Sequence, residues 1–330
     1  MRTFKRVLVT GANGLLGTNT IIELLNQGYK VTGFLRDKNR YVGYEHKNLT
    51  LIEGDITNFA DLEAALKNCD SLIHCAALTD PKANHVAYEN INLRGTKKVV
   101  QAAIKMKLKK FVFVSTANVC GFGPKNDPGS ETQAIKKPFS DSSYSISKKK
   151  AQDYVLSMTS KIEVVVVNPS FMIGPYDSKP SSGKIILHGL NKRIVLYPPG
   201  GKSFVCVEDV ALGIVKALKK GATGETYLLT NENMSYRAFF NLLKKKTQSQ
   251  QMMLPIPKSI LFGLGFLGDL ARYFGFRTQF SSNNMKALCS NVFYVNSKAK
   301  NDLGMVFTPV DKGVEDAIAW FQKNKVNNSQ

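Results

Sequence analysis

An apolar run, Val7-Leu8-Val9, passes directly into Thr10-Gly11-Ala12-Asn13-Gly14-Leu15-Leu16-Gly17, and nothing else in the 330 residues limits the fold as strongly. A glycine-rich turn between a strand and a helix lets backbone N–H groups approach a pyrophosphate with no Cβ in the way. The helix N-terminus behind it adds partial positive charge. The spacing is GxxGxxG rather than GxGxxG, and the third glycine, one turn into the helix, allows close packing on the sheet. Arg6 to Thr10 reads as the strand and Leu15 to Asn26 as an amphipathic helix closed by Gly28.

The pattern then repeats. Val31 to Leu35, Leu49 to Glu53, Ser71 to Ala76, Lys110 to Ser115 and Glu163 to Asn168 read as strands buried on both faces. Helices are predicted at about 14–27, 58–67, 88–107 and 145–159, the second opened by Asn58 as N-cap. This order predicts an α/β fold, a Rossmann-type doubly wound parallel sheet with ligands at the carboxyl ends of its strands. Gly11, Asp55, Ala76, Thr116 and Pro169 all fall there. After Asn168 the chain turns rich in Pro, Gly and Ser through to Gly201. The predicted division is a dinucleotide-binding domain over 1–168, with 204–230 returning to it as Phe204 to Gly221 and a strand Glu225 to Thr230. A smaller, mostly C-terminal substrate-binding part takes the rest of 169–330, with a frayed tail at 324–330.

A second motif carries chemistry. In Tyr144-Ser145-Ile146-Ser147-Lys148 the tyrosine and lysine are four apart and share a helix face, which sets the ammonium beside the phenol. A nearby cation favours phenolate, so the pair can exchange a proton near neutral pH. Other chemistry is thin: His46, His74, His85 and His188 show no metal spacing, Ser115 has no GxSxG elbow, and GxxxxGK[ST] does not occur. His74 reads as a buried strand-end residue.

Five cysteines, without a CxxC pair, argue for a reducing compartment. The basic start MRTFKRVLVT is broken by glycines and Asn13 before a signal-peptide core can form, and the uncharged stretch Ser259 to Gly268 is too short to span a bilayer. A cytoplasmic location is expected, with no membrane span. Ile260 to Phe276 reads as a flap over a pocket, with a membrane-surface segment as the other reading. The net charge of +20 is spread over many helices as solvated faces, and no nucleic-acid partner is expected.

The set TGANGLLG (10–17), GDIT (54–57), HCAA (74–77), NLRGT (92–96), VSTANVCG (114–121), YSISK (144–148) and NPSFMIGP (168–175) resembles the extended short-chain dehydrogenases/reductases of NAD(P)-dependent epimerase/dehydratase type. It is most similar to the dihydroflavonol-reductase-like group. The resemblance implies that Tyr144 is the acid/base, that Lys148 binds the nicotinamide ribose and lowers the tyrosine pKa, and that Thr116 holds the reacting oxygen. It implies cofactor contacts at Gly11, Asn13, Gly14, Leu15, Leu16 and Gly17. Asp55 would meet the adenine amine with Ile56 beside it, Ala76 and Ala77 would line the adenosine and ribose path, and Ser115, Pro169, Ser170 and Ile173 would border the nicotinamide. Asn92 would help hold the active-site backbone. A homodimer through helices near 92–107 and 145–159 is also implied. Cys120 and Cys206 stand where many members carry Tyr and His, and both read as small buried hydrophobes.

An NAD enzyme normally ends its second strand with a carboxylate for the ribose diol. Here that position is Leu35, followed by Arg36, whose guanidinium suits a 2′-phosphate, so NADP(H) is preferred, with NAD(H) possible through Asp37. The predicted activity is reduction of a carbonyl on a small-molecule substrate by hydride transfer. A nucleotide-sugar epimerase acting on a sugar-nucleotide substrate is the alternative, and a non-catalytic NADP(H) sensor or RNA-binding Rossmann protein is the second.

Overall fold

A computed structural model describes residues 5–324. The first half contributes β1 (Arg6–Thr10), β2 (Lys30–Leu35), β3 (Leu49–Glu53), β4 (Ser71–His74), β5 (Lys110–Val114) and β6 (Glu163–Pro169). The second adds β7 (Phe171–Ile173), β8 (Ile194–Tyr197), β9 (Gly201–Cys206), β10 (Thr226–Leu229), β11 (Glu232–Ser235), β12 (Met252–Pro255) and β13 (Asn291–Val292). Seven of them form one sheet in the order β10-β6-β5-β4-β1-β2-β3, every pair parallel. The predicted doubly wound α/β sheet is therefore the fold.

Alternation along the strands builds two apolar layers. Val7, Val9, Val31, Ile73, Val112 and Val165 face the helices Leu15–Asn26 and Val207–Lys220. Leu8, Phe34, Leu72, Phe111, Phe113 and Val164 face Phe59–Leu66, Thr96–Lys105 and Ser143–Leu156. Each such side chain, fully buried, contributes about 1.5–3 kcal/mol, so the sheet is held from both sides. The local signals act as read: Asn58 accepts from the Ala60 N–H at 3.0 Å, and Gly28, at φ +80°, closes the first helix.

The structure corrects several boundaries. β3 is an edge strand, half-buried rather than covered on both faces. β4 stops at His74 and β5 at Val114, because the residues after them leave the sheet to build the site. The predicted helix at 88–107 instead starts at His85, runs as a π-helix through Glu89–Gly95 and continues as Thr96–Lys105. The C-terminal part of the return, Val207–Lys220 and β10, does join the large sheet. Phe204 to Cys206 do not: they lie in β9 of a small sheet with β7, β11 and β13, over a third apolar cluster that holds Phe204, Phe239, Phe240, Val310 and Phe321. Apart from Asn324, the tail expected to fray lies outside the described residues.

Candidate active site

The cleft forms where the parallel strands end. At its floor Gly11 takes φ +70°, and a Cβ there would lie 2.8 Å from the Ala76 backbone. A Cβ on Gly17 would lie 2.0 Å from the Gly11 carbonyl oxygen, which explains why the first turn of the helix can sit directly on the loop. Gly14 is exposed at the helix N-cap, where no side chain caps the helix and no acid occupies its first turn. Bare backbone and an uncapped helix N-terminus are what a pyrophosphate needs, so these residues fit a dinucleotide. Asn13 lies on the same loop, while the Leu15 and Leu16 side chains are buried beneath it.

A chain of hydrogen bonds fixes the adjoining wall. The Ala76 N–H donates to Thr10 Oγ1 at 3.2 Å, Thr10 Oγ1 meets His74 Nδ1 at 2.7 Å, and His74 Nε2 meets Thr96 Oγ1 at 3.0 Å. Thr96 in turn donates to the Asn92 carbonyl at 2.7 Å. Counting protons assigns the rest: Thr96 has none left, so His74 Nε2 is the donor and Nδ1 accepts from Thr10. Burial, with the Lys148 charge second, pushes the His74 ring down to about 3, so it is neutral as this chain requires. Asn92, in the π-helix, accepts from the Leu78 N–H at 2.7 Å and donates to the Leu78 carbonyl and to Ser147. It therefore braces the backbone of the site.

Thr116, Tyr144 and Lys148 come together at the far end of the cleft. Thr116 follows β5 and caps a short 3-10 turn, receiving the Asn118 N–H at 3.3 Å. Its hydroxyl lies close enough to that of Tyr144 to favour phenolate, and the Tyr144 ring meets Tyr88 edge-on at 5.9 Å. Lys148 is buried, donates to the Val114 carbonyl at 2.8 Å and lies 4.3 Å from the Phe113 ring centre. The electrostatics differ from the expectation that this lysine lowers the tyrosine pKa. Burial pushes Tyr144 up to about 12, and the opposing influence is the Thr116 hydroxyl. Burial likewise pushes Lys148 down to about 7, since its ammonium is drawn to a neutral carbonyl rather than an anion.

At the carboxyl end of β2, Arg36 is exposed. Asp55 accepts from Thr57 at 2.6 Å, and that bond, against burial and with help from Arg36 and Lys98, holds its carboxyl below the usual range. Ile56 is buried beside it, and Ala77 follows Ala76 on the same half-buried segment. At the other end Pro169 closes β6, Ser115 is buried after β5, and Ser115 Oγ and Ser170 Oγ have no protein partner. Ile173 is not brought to the cleft: its side chain is 1% exposed, inside the third apolar cluster. Cys120 and Cys206 are buried small side chains, as read.

Residues 7–230 match the profile of the NAD dependent epimerase/dehydratase family. The chain belongs to that family. Over 323 residues it is 29% identical to a sterol demethylase protein B from Methylococcus capsulatus, covering 96% of this chain and 98% of that protein. Over 336 residues it is 29% identical to a putative dihydroflavonol 4-reductase from Synechocystis, covering 96% and 94%. The crystal structure of gox2253 is similar with a TM-score of 0.82 at 28% identity, covering 98% of this chain and all of that one. This epimerase/dehydratase-family chain is thus an enzyme of the extended short-chain dehydrogenase/reductase class, and among its described residues no helix is long and apolar enough to cross a membrane.

Sequence reasoning missed four residues around the cleft. Arg36 and Arg40 each stand close enough to Lys179 to act on it as like charges. Arg272 donates to the Pro81 carbonyl at 2.8 Å, and Tyr88 donates to the Asp80 carbonyl at 2.6 Å, so both hold the loop above Tyr144. Lys179 lies in a Pro- and Ser-rich stretch with no periodicity to point at it; Tyr88 carried a usable signal, being aromatic four residues before Asn92.

Proposed function

We propose that the enzyme reduces a carbonyl of a small-molecule substrate with NADP(H), using Thr116, Tyr144 and Lys148. The cofactor preference rests on one convergence. Burial, then Arg40 and Arg36, hold Lys179 below the usual lysine range, so three cations share the rim where an adenosine ribose would lie. Leu35 offers no carboxylate, and Asp37 is committed, its carboxylate pairing with Arg40 at 3.0 Å and accepting from the Asn39 N–H at 3.1 Å. A 2′-phosphate would find charge-assisted partners there, while a free diol would find none from Asp37.

The tyrosine suits the donor role in this reduction. A phenol pushed up to about 12 holds its proton throughout the neutral range, which suits a donor to a carbonyl oxygen gaining negative charge. Thr116 stabilises that oxygen by hydrogen bonding. Lys148, on the next turn of the same helix, is placed to exchange the Val114 carbonyl for the ribose hydroxyls and keep the tyrosine proton supply oriented. The cofactor, when bound, supplies the hydride. The stretches 169–203 and 231–330 form the substrate-binding part of this proposal.

The test is nucleotide content of the purified protein together with titration of NADPH and NADH. Weakly held, exchangeable NADPH is expected, with Arg36→Ala and Lys179→Ala each weakening NADPH about ten- to hundredfold and leaving NADH alone. Tyr144→Phe should lower turnover about 10²–10⁴-fold while still binding nucleotide. Tightly retained NAD would overturn the proposal in favour of an epimerase.

A further inference from the structure

The helix Lys258–Tyr273 is built inside out for a soluble protein. Its buried stripe is Leu261, Gly265 and Gly268, and the two glycines let it lie almost on the backbone of residues 280–282. A Cβ on Gly268 would come 2.4 Å from the Phe280 carbonyl oxygen. The large side chains therefore point outward: Phe262, Phe266, Leu267 and Tyr273 along the helix, then Phe274 and Phe276 past its end, the last at 68% exposure. The expected flap would have turned these rings onto a pocket; in the structure they face away from the protein. Apolar patches of this extent on a soluble chain mark a contact surface.

Charge says what the contact is. Residues 256–290 carry Lys258, Arg272, Arg277 and Lys286 against one acid, Asp269. That acid is partly engaged, its carboxylate accepting from the Ser282 N–H at 3.1 Å, so four cations face a single hydrogen-bonded carboxylate. Lys258, Arg277 and Lys286 are exposed around the rings. The whole chain carries +20, so a second copy brought to this face would be repelled, whereas a negatively charged surface would be attracted. A convex helix presenting Phe, Leu and Tyr within a cationic border, and too short to cross a bilayer, has the form of an element that lies in a membrane interface.

We propose that the Lys258–Phe280 face docks on an anionic lipid bilayer, with its aromatic side chains at the boundary between headgroups and acyl chains. The contact borders the catalytic cleft, because Arg272 at the end of this helix holds the Pro81 carbonyl in the loop above Tyr144. Docking itself does not depend on the cofactor or reaction proposed above.

Sedimentation of the full-length protein with vesicles tests this, using phosphatidylcholine alone and phosphatidylcholine mixed with phosphatidylglycerol. Binding to the anionic vesicles, weakened by salt, is expected. The pair Phe266→Asp and Phe276→Asp should lower it at least about tenfold while nucleotide titration and thermal melting stay as in the parent. Arg277→Glu with Lys286→Glu should reduce the salt-sensitive part. In a Phe276→Trp variant, indole emission should shift to shorter wavelength on anionic vesicles, a readout that needs no disruptive substitution. The proposal falls if the protein stays in the supernatant, if it pellets equally with both vesicles, or if the aspartate pair pellets like the parent. It also falls if gel filtration shows a dimer that the aspartate pair splits and vesicles fail to bind, since the face would then belong to a second copy.

Discussion

Two helices in this enzyme depend on glycine for close approach, and they do opposite things with it. In Leu15–Asn26, Gly17 brings the first turn onto the Gly11 carbonyl, while Leu15, Leu16, Ile21, Leu24 and Leu25 are driven into the sheet's apolar layer. In Lys258–Tyr273, Gly265 and Gly268 form the inward stripe themselves, and the larger apolar residues are left outside. In sequence the first segment reads as an amphipathic helix and the second as a flap over a pocket. The direction of burial was decided by which side of the helix carries the small residues, because only a flat side can approach another backbone this closely.

The contrast can be broken most severely at Gly17. Gly17→Ala must push the helix off its loop, which should cost about 3 kcal/mol in urea unfolding and abolish nucleotide binding; an unchanged midpoint would mean that the loop yields freely. Next comes the charge buried beside the first helix's cleft. The unfolded chain keeps the Lys148 proton up to its ordinary pKa of 10.5, whereas the folded enzyme gives it up near 7. Between those values the unfolded state binds more protons, so stability of the nucleotide-free enzyme should climb as pH rises from about 7 towards 10. Lys148→Met should flatten that climb in melting curves taken across the range, and parallel profiles for the two proteins would contradict it.

Gly268→Ala probes the outward helix in the same way as Gly17→Ala probes the inward one. The clash with the Phe280 carbonyl should cost about 1–3 kcal/mol, offset by about 1 kcal/mol of helix propensity, so the net loss is smaller and appears first as faster proteolysis near residues 275–282. The smallest effect belongs to Gly263, where an added Cβ meets nothing within 4 Å. Gly263→Ala should raise stability by about 0.5–1 kcal/mol, and a loss there would show that this position is covered by something else.

How much of this could be read from the residues depends on what each signal measures. The strand-loop-helix opening was legible to the residue, because β-branched runs favour extended backbone, Gly11 and Gly28 take a positive φ, and Gly17 sits where no Cβ fits. The π-helix at Glu89–Gly95 was not. Its cause is tertiary: Asn92 divides its side chain between Leu78 and Ser147, and periodicity carries no record of such bonds. For the site, motif spacing gathered Thr116, Tyr144 and Lys148 on one wall. Spacing did not report what holds the lysine, which is near the tyrosine in sequence but donates to the Val114 carbonyl. Ile173 differs for another reason, since it ends β7 with its side chain buried in the third apolar cluster.

His74 has one more effect. With a ring that stays uncharged until about pH 3, His74 itself takes no proton across the interval where exposed imidazoles gain theirs. An acid limb in the rate profile near the ordinary histidine midpoint of 6.5 would therefore have to originate in some other group, Lys148 near 7 being the first to test.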